Sequence, residues 1–238
     1  MDRGWHPVTD GQTAHILSRA LILRGMDSGQ AWHLWFEDPS LLVVEKPAEL
    51  LAVPGRGEAG LHNLASQVQA RFADALVVHR LDMSTSGLML FARGAPAQSL
   101  LNKAFAQRRV HKRYEAVVEG WIESDAGSIT APLAADWPSR PRQKVDLVHG
   151  KASLTHWRVL QRWQMDGQPR TRVALEPHTG RSHQLRVHLQ HIGHPIVGDN
   201  LYGQPPGAGG RLLLHACFLQ FDHPHTRQPC RYESPVPF

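Results

Sequence analysis

The residues best suited to chemistry in this sequence lie close together around position 82. Arg80 and Asp82 stand two positions apart, at the end of an apolar run and before a turn rich in Ser, Thr and Gly. We predict a strand from Leu76 to Leu81, a turn, and a second strand from Leu88 to Phe91. Side chains two residues apart share one strand face, so a guanidinium and a carboxylate would meet at the edge of a sheet. The same residues also fit a simpler role, in which the Asp82 side chain only caps the turn.

The composition is that of a folded protein with an uneven distribution of charge. Cys217 and Cys230 give no disulfide framework and fit a reducing compartment, and no apolar run approaches the length of a membrane span. The formal net charge is +5, but residues 103–186 carry 15 Lys or Arg against eight Asp or Glu. This excess favours a surface that contacts phosphates, although an ordinary solvated basic face would give the same count.

Several segments, in the same order along the chain, resemble motifs of the RluA-type pseudouridine synthases. One is His79-Arg80-Leu81-Asp82 followed by Thr85-Ser86-Gly87, which is similar to the family motif that holds the catalytic aspartate. The others are Val43 to Pro47 with Leu51 to Gly55, Lys112-Arg113-Tyr114, Thr179 to His188, Gly198-Asp199 and Arg211 to Ala216. Asp136 to Lys144 further resembles a segment of the subfamily with dual specificity for 23S rRNA and tRNA. The resemblance covers about residues 35–238.

The resemblance implies an RNA-modifying isomerase. Such an enzyme cuts the glycosidic bond of a uridine in structured RNA, turns the uracil and rejoins it through carbon. The implied targets are uridine 746 of 23S rRNA and uridine 32 of the tRNA anticodon loop. Asp82 would attack C1′ or the ring, or remove a sugar proton, with Arg181 as the cation paired with it. Tyr114 would stack on the uracil, although a core aromatic on a strand is an equally simple interpretation.

The resemblance also implies contacts to the RNA and the absence of a cofactor. Arg80 would fill the gap left by the displaced uridine, Leu213 would form an apolar floor for the base, and His79 and Thr85 would line the substrate site. The expected phosphate contacts are Arg108, Arg109, Lys112, Arg140, Arg142 and Lys144. The reaction adds and removes no group, so neither a cofactor nor a metal is expected. We expect a cytoplasmic monomer whose partners are 23S rRNA and tRNA.

Apolar periodicity predicts more strand than helix. The predicted helices are Leu61 to Phe72, Ala95 to Arg109 and His183 to Ile192, and the further strands are Leu41 to Glu45, His111 to Val118, Leu154 to Leu160, Arg172 to Leu175 and Leu212 to Phe221. Ser124 to Gly150 should be a long loop or a short hairpin. Because strands and helices do not alternate after residue 95, the pattern favours an α+β fold with a mixed sheet.

The family resemblance refines this fold class and sets the domain limits. It implies the pseudouridine synthase fold, an extended and mostly antiparallel sheet with flanking helices and a central basic cleft. Residues 31–238 would form one catalytic domain. Residues 1–30 have no counterpart in the resemblance and would be a flexible extension, with no room for the S4 domain that many relatives carry.

A dinucleotide fingerprint is the main competing motif. Gly55-x-Gly57-x-x-Gly60 precedes a predicted helix and would indicate an NAD(P)-dependent oxidoreductase if a strand ran directly into Gly55. Lys46-Pro47 interrupts the apolar run and Pro54 precedes Gly55, which weakens this interpretation, and the family resemblance implies that the glycines form a flexible loop. A non-catalytic RNA-binding module is the second alternative.

Two smaller features complete the sequence-based predictions. His188 with His191, and His223 with His225, could suggest a metal site, but no recognised zinc spacing is present. The family usually has glycine two residues after its Lys-Pro pair, where this chain has Glu49. If that glycine supplies a positive φ, the local turn here should differ.

Overall fold

The computed structural model describes residues 32–203 and 210–238, and most of their strands belong to one sheet. The predicted extension over residues 1–30 lies outside these ranges. The strands are β1 (His33–Glu37), β2 (Leu41–Lys46), β3 (Ala75–Val77), β4 (Ser86–Arg93), β5 (His111–Glu119), β6 (Ala126–Ile129), β7 (Leu133–Ala135), β8 (Gln143–Val145), β9 (Thr155–Met165), β10 (Gln168–Pro177), β11 (Leu214–Asp222) and β12 (Pro229–Glu233). The helices are α1 (Leu64–Arg71), α2 (Gly94–Ala106) and α3 (Gln184–His191).

The sheet is mixed and mostly antiparallel. Ten strands run in the order β1-β2-β4-β11-β5-β10-β9-β6, with β3 paired to β4 and β12 paired to β11. Among the described strands of this sheet, only β4 and β11 run parallel to each other. The strands β7 and β8 form a separate hairpin. The predicted α+β class with a mixed sheet is confirmed.

The parallel contact between β4 and β11 lies at the centre of the sheet. Its two registered pairs are Ser86 with His215 and Gly87 with Ala216. Gly87 has a φ of 119°, and a Cβ there would lie 2.3 Å from the carbonyl oxygen of Ala216. Only glycine allows the two backbones to approach this closely, which explains the glycine that ends the Thr-Ser-Gly turn.

The helices cover the sheet from both sides. Helix α1 packs through Leu64 and Val68 onto one face of β2 and β4, and α2 packs through Ala97 and Leu101 onto the other. Because both faces are buried, β2 and β4 are continuous apolar runs and do not alternate with polar residues. Helix α3 contributes Leu185 and other apolar residues to a third cluster, formed with β5 and β10.

Element boundaries differ from the prediction where polar groups compete with periodicity. Helix α1 begins later than predicted because the Asn63 side chain accepts a hydrogen bond from Ser66 N and caps the helix there. Leu61, which fits the apolar period, is 73% exposed in the preceding 3₁₀ turn. Strand β3 ends at Val77, so the predicted continuation to Leu81 is wrong.

Three strands and one hairpin were incompletely predicted. The segment expected to be a loop or short hairpin contains β6 together with the β7–β8 hairpin. Strands β1 and β12 were not predicted. They are short strands that pair with only one neighbour each, β2 and β11. Each has only five residues, which is too short for apolar alternation to stand out in the sequence.

The dinucleotide interpretation is wrong for this fold. Strand β2 ends at Lys46, and residues 47–54 separate it from Gly55, whereas the fingerprint needs a strand that runs directly into the first glycine. Gly55 N instead donates to Gly60 O at 3.1 Å, which closes a local loop before α1. Within the described ranges, no helix is long and apolar enough to cross a membrane.

A chain of hydrogen bonds beside the β4–β11 contact connects Arg211 to Glu45. Arg211 Nη2 donates to Ser86 Oγ at 2.6 Å, and Ser86 in turn lies 2.8 Å from His215 Nδ1. On the other side of the ring, His215 Nε2 lies 2.9 Å from Ser234 Oγ, which donates to Glu45 Oε2 at 2.7 Å. Because Ser234 donates to Glu45, it must accept from Nε2–H, while Ser86 has a hydrogen that it can donate to Nδ1. Burial lowers the pKa of His215 to about 4; the charge of Glu45 acts against this and that of Arg211 adds to it. The ring is therefore neutral at pH 7, with Nδ1 as the acceptor.

We predict that acidification destabilises the protein through His215. Its pKa is lower in the folded than in the unfolded chain, so the unfolded chain binds more protons as the pH falls below about 6.5. Between pH 7 and pH 5 this should cost about 2 kcal/mol of unfolding free energy. Urea denaturation at both pH values would measure it. His215→Gln should be less stable at pH 7 but should lose that part of the pH dependence. Equal pH dependence in the two proteins would contradict the assignment.

Candidate functional site

Asp82 lies on an irregular segment, residues 78–85, between β3 and β4. The turn is closed by its backbone, since Asp82 O accepts from Thr85 N at 3.2 Å. No hydrogen bond within the described ranges reaches its carboxylate, and the side chain is 20% exposed. The simpler role, a side-chain cap, is therefore wrong, and the carboxylate is available at the surface.

Lys46 supports this segment from below. Its side chain is fully buried, and Nζ donates to the carbonyl oxygens of Pro47, Leu50 and Met83 at 2.7, 2.7 and 2.8 Å. Burial lowers the pKa of Lys46 to about 7, while the negative charges of Glu49 and then of Asp82 act in the opposite direction. Three acceptors match the three hydrogens of an ammonium. Because Met83 follows Asp82 directly, this contact fixes the backbone that carries the carboxylate.

Arg186 is the cation closest to the Asp82 carboxylate. Its Nε and Nη2 each donate to Asp199 at 2.7 Å in a buried bidentate pair, and its Nη1 lies 4.0 Å from Asp82 Oδ2. Burial alone would lower the pKa of Arg186, but the hydrogen bonds and charge of Asp199, with the charge of Asp82, raise it above the ordinary value. The guanidinium is therefore held with one edge directed at the candidate catalytic carboxylate.

Arg181, the predicted partner of Asp82, makes a different contact. Its guanidinium is directed at the carbonyl oxygen of Ala152, with Nε and Nη2 at 3.4 and 3.3 Å, and the residue is exposed. We therefore correct the ion-pair partner of Asp82 to Arg186. Arg181 precedes α3, whereas Arg186 lies within its first turn.

A tight turn orients the second carboxylate. Gly198 has a φ of 76°, and a Cβ there would lie 2.1 Å from Arg211 O, so only glycine fits. The next residue is Asp199, whose Oδ1 accepts hydrogen bonds from the backbone N of Leu201 and of Tyr202, both at 3.0 Å. Its carboxylate is thus fully engaged by backbone donors and by Arg186.

Tyr114 lies on β5 at the boundary between two apolar clusters. It packs against the cluster around α1 and against the cluster around α3, and its strand neighbours are Leu175 and Ala216. Burial first, and then the charge of Asp82, raises the pKa of Tyr114. The phenol is therefore protonated at neutral pH, close enough to Asp82 to be influenced by its charge.

Tyr202 was not predicted, yet it connects several parts of the site. Its hydroxyl accepts from Gln143 N at 2.7 Å and lies 2.8 Å from His183 Nδ1. Its ring lies 5.1 Å from the guanidinium carbon of Arg186 and 5.4 Å from that of Arg142. Tyr202 therefore joins the β7–β8 hairpin to Arg186, and only the tertiary fold brings these segments together.

The four residues expected to contact the substrate fall into two groups. His79 Nε2 accepts from Leu90 N at 2.9 Å and its ring stacks on Phe105, while burial lowers its pKa to about 3. Thr85 is buried. These contacts are structural, so we correct the expected substrate role of His79 and Thr85. Arg80 is exposed, and Leu213 packs at the margin of the same cluster as Tyr114.

The expected phosphate contacts differ in their surroundings. Arg108 is exposed and lies 2.8 Å from His178 Nε2, and Arg109 is exposed and bonds to Gln107. Lys112 is only partly exposed, burial lowers its pKa, and no described carboxylate lies within ion-pair distance of it. An unpaired, partly desolvated ammonium is well suited to a phosphate. Arg140, Arg142 and Lys144 lie on or beside the tip of the β7–β8 hairpin.

The histidines that could suggest a metal site make ordinary contacts. His188 is buried, with Nδ1 and Nε2 both 2.9 Å from Thr155 Oγ1 and Ala131 O, and His223 Nε2 lies 2.8 Å from Asp38. In the part of the chain that the structure describes, no group of three or more potential ligands is arranged to hold a metal.

Glu49 occupies a conformation that normally favours glycine. Its φ is 61°, so the turn after Lys46-Pro47 keeps the positive φ that the family's glycine would supply. For an L-residue this region costs about 1 kcal/mol.

We predict that Glu49→Gly has a higher unfolding free energy than Glu49→Gln by about 1 kcal/mol. Both variants remove the negative charge near Lys46, and only glycine relieves the backbone. Urea denaturation at pH 7 would compare them. Identical midpoints and slopes would show that this turn stores no strain.

The chain is similar in sequence to known RNA pseudouridine synthases. Residues 40–191 match the family described as RNA pseudouridylate synthase. A protein of Vibrio vulnificus (strain CMCP6) named dual-specificity RNA pseudouridine synthase RluA is 50% identical over 194 residues, 80% of this chain and 78% of its own length. The protein of the same name from Escherichia coli (strain K12) is 40% identical over 205 residues, 85% of this chain and 92% of its own.

Two solved structures of human proteins are also similar to this chain. Human RNA Pseudouridylate Synthase Domain Containing 1 aligns with a TM-score of 0.75 and 31% identity, covering 90% of this chain and 87% of that protein. Human RNA Pseudouridylate Synthase Domain Containing 4, at 22% identity, has a TM-score of 0.67 over 86% and 88%, which supports the fold. The chain therefore belongs to the RNA pseudouridylate synthase family and is an RNA pseudouridine synthase.

Proposed function

We propose that Asp82 is the catalytic residue of this synthase and that it acts on uridine 746 of 23S rRNA and uridine 32 of the tRNA anticodon loop. The single observation that carries the catalytic assignment is the position of the carboxylate. It is partly exposed, free of described hydrogen bonds, and 4.0 Å from a buried guanidinium. The targets are supported by relatives at 40–50% identity whose name includes dual specificity.

In this proposal the Asp82 side chain must be able to move toward a nucleotide, while the backbone that carries it stays in position. Lys46 holds the neighbouring carbonyl, and Arg186 attracts the carboxylate from the side. Attack on C1′, attack on the ring and removal of a sugar proton all begin from this charged carboxylate. The route chosen depends on the pose of the nucleotide, and each requires the uridine to leave its stack, at a cost of a few kcal/mol.

Arg186 has a positioning role in this proposal. Because Asp199 engages two of its nitrogen atoms, the third is the one available to Asp82. A planar guanidinium can make both contacts at once, whereas an ammonium is a single point of charge. The buried pair thus fixes the direction from which the positive charge acts on the carboxylate.

Tyr114 is proposed as the aromatic surface for the uracil. Its ring is supported by two apolar clusters, and its hydroxyl is protonated because burial and Asp82 raise its pKa. A protonated phenol can donate a hydrogen bond to the base. It can take up a proton only after it has lost its own. Lys112 on the same strand would contact a flanking phosphate, and the exposed Arg80 would fill the gap left by the displaced uridine.

We predict that Asp82→Asn abolishes modification at both targets. Asparagine has almost the same shape but no negative charge, so activity should fall by about 1,000-fold or more. Pseudouridines would be mapped in total RNA from a strain that lacks the protein, complemented with wild-type or variant chain. Wild type should restore uridine 746 and uridine 32, and the variant neither.

Asp74→Asn is the matched control. Asp74 is an exposed aspartate paired with Arg93, outside the site, so this variant should restore both modifications. Restoration of either position by Asp82→Asn would contradict the catalytic assignment. If wild type restored other uridines, the targets would be wrong while the catalytic assignment stood.

A second prediction separates Arg186 from Arg181. Arg186→Lys keeps the charge but loses the bidentate geometry, so kcat should fall by about 100-fold. Arg181→Lys keeps a cation at the surface and should change kcat by less than about threefold. Tritium release from RNA labelled at C5 of uridine would measure both at saturating RNA. A larger loss in the Arg181 variant would restore Arg181 as the partner of the carboxylate.

A further inference from the structure

The tip of the β7–β8 hairpin carries an aromatic residue that the site described above does not use. Trp137 is 68% exposed, although tryptophan is a large apolar residue that is usually mostly buried. The guanidinium carbon of Arg140 lies 3.5 Å from the centre of a Trp137 ring, which is direct stacking of a cation on an aromatic face. A large part of the indole therefore remains open to solvent beside a positive charge.

The tip is held rigidly. Asp136 N donates to Arg142 O, Ser139 N to Asp136 O and Arg142 N to Ser139 O, each at 3.0 Å. These bonds close a 3₁₀ turn that contains Trp137. The exposed ring is thus presented by an ordered turn, which reduces the entropy lost when a ligand stacks on it.

The hairpin is also fixed relative to the catalytic cluster. Leu133 of the hairpin packs with Val187 of α3 and with Tyr202, next to Arg186. The Tyr202 hydroxyl accepts from Gln143 N, and the Arg142 guanidinium lies over the Tyr202 ring. An RNA segment bound at the tip would therefore lie at a defined position relative to Asp82.

The charges at the tip favour a nucleic acid over other partners. Arg140, Arg142 and Lys144 lie within five residues of one another, and Lys144 makes only a 4.0 Å contact with Asp146. A ring that offers an open face beside several cations matches the chemistry of an unpaired base followed by its phosphates. A base within a duplex is stacked on both sides and would not expose its face.

We propose that Trp137 and Arg140 form a stacking site for an unpaired nucleobase of the RNA substrate, separate from the site of the target uridine. The proposal rests on the proposed function, because it needs a substrate with unpaired residues near the target. Stacking accepts any base, so this site would select loops over helices without reading sequence.

The test compares RNA binding by variants of an Asp82→Asn chain, which binds without turnover. The probes are an anticodon stem-loop RNA and a duplex of the same length and charge. Trp137→Ala should raise the Kd for the stem-loop by about 10- to 100-fold, and Trp137→Phe, which keeps a ring, should raise it less. Neither should change the Kd for the duplex. Thermal melting should be unchanged, since the residue is exposed.

Trp121→Ala is the matched control. Trp121 is 43% exposed and lies beyond the end of β5, in a hollow lined by Ile122 and Trp157. It should leave both Kd values unchanged. The proposal would be overturned if Trp137→Ala bound the stem-loop as tightly as its parent, or if it lost the same affinity for the duplex. The exposed indole would then be assigned to a protein partner. In that case modification by the wild-type chain would show that the proposed function still stands. If the wild-type chain modified neither target, the proposed function would fail.

Discussion

The proposed active site depends on the burial of one guanidinium between two carboxylates. Moving an arginine out of water is costly unless its donors are satisfied, and Asp199 satisfies two of them in bidentate geometry. That pair leaves one edge of Arg186 to act on Asp82. The rest of the local structure maintains this arrangement. Gly198 allows the turn that aims Asp199, and α3 is buried along most of its length, which prevents the arginine from reaching solvent.

Lys46 is a second buried basic residue that supports the segment carrying Asp82. Lys46 holds the backbone carbonyl next to Asp82, so the segment that carries the carboxylate is held from below while Arg186 acts from the side. Each cation also has other partners, since Lys46 donates to Pro47 O and Leu50 O and Arg186 is paired with Asp199, so both remain in place when the carboxylate moves.

The sequence predicted the parts of this protein that local chemistry determines. The turn around Asp82, the helix α3 and the apolar strands followed from periodicity and turn residues, and the family resemblance supplied the class of enzyme. Arg186 was missed because its neighbours on both sides are apolar and it lies in a predicted helix, where a charged residue is usually solvated. Arg181 stands at a loop, which made it the simpler choice. Tyr202 and Lys46 gain their roles only from contacts between distant segments, and periodicity carries no information about those.

The parallel contact between β4 and β11 has a consequence for how the protein is made. Ser86, at the start of β4, bonds to His215, 129 positions later. β3 pairs with Phe91 to Arg93, but Ser86 and Gly87 have no partner on this edge of β4 until nearly the whole protein has been synthesised. Such long-range pairing slows folding. The β4–β11 contact, which directly follows the turn that carries Asp82, should therefore form in a late step of folding.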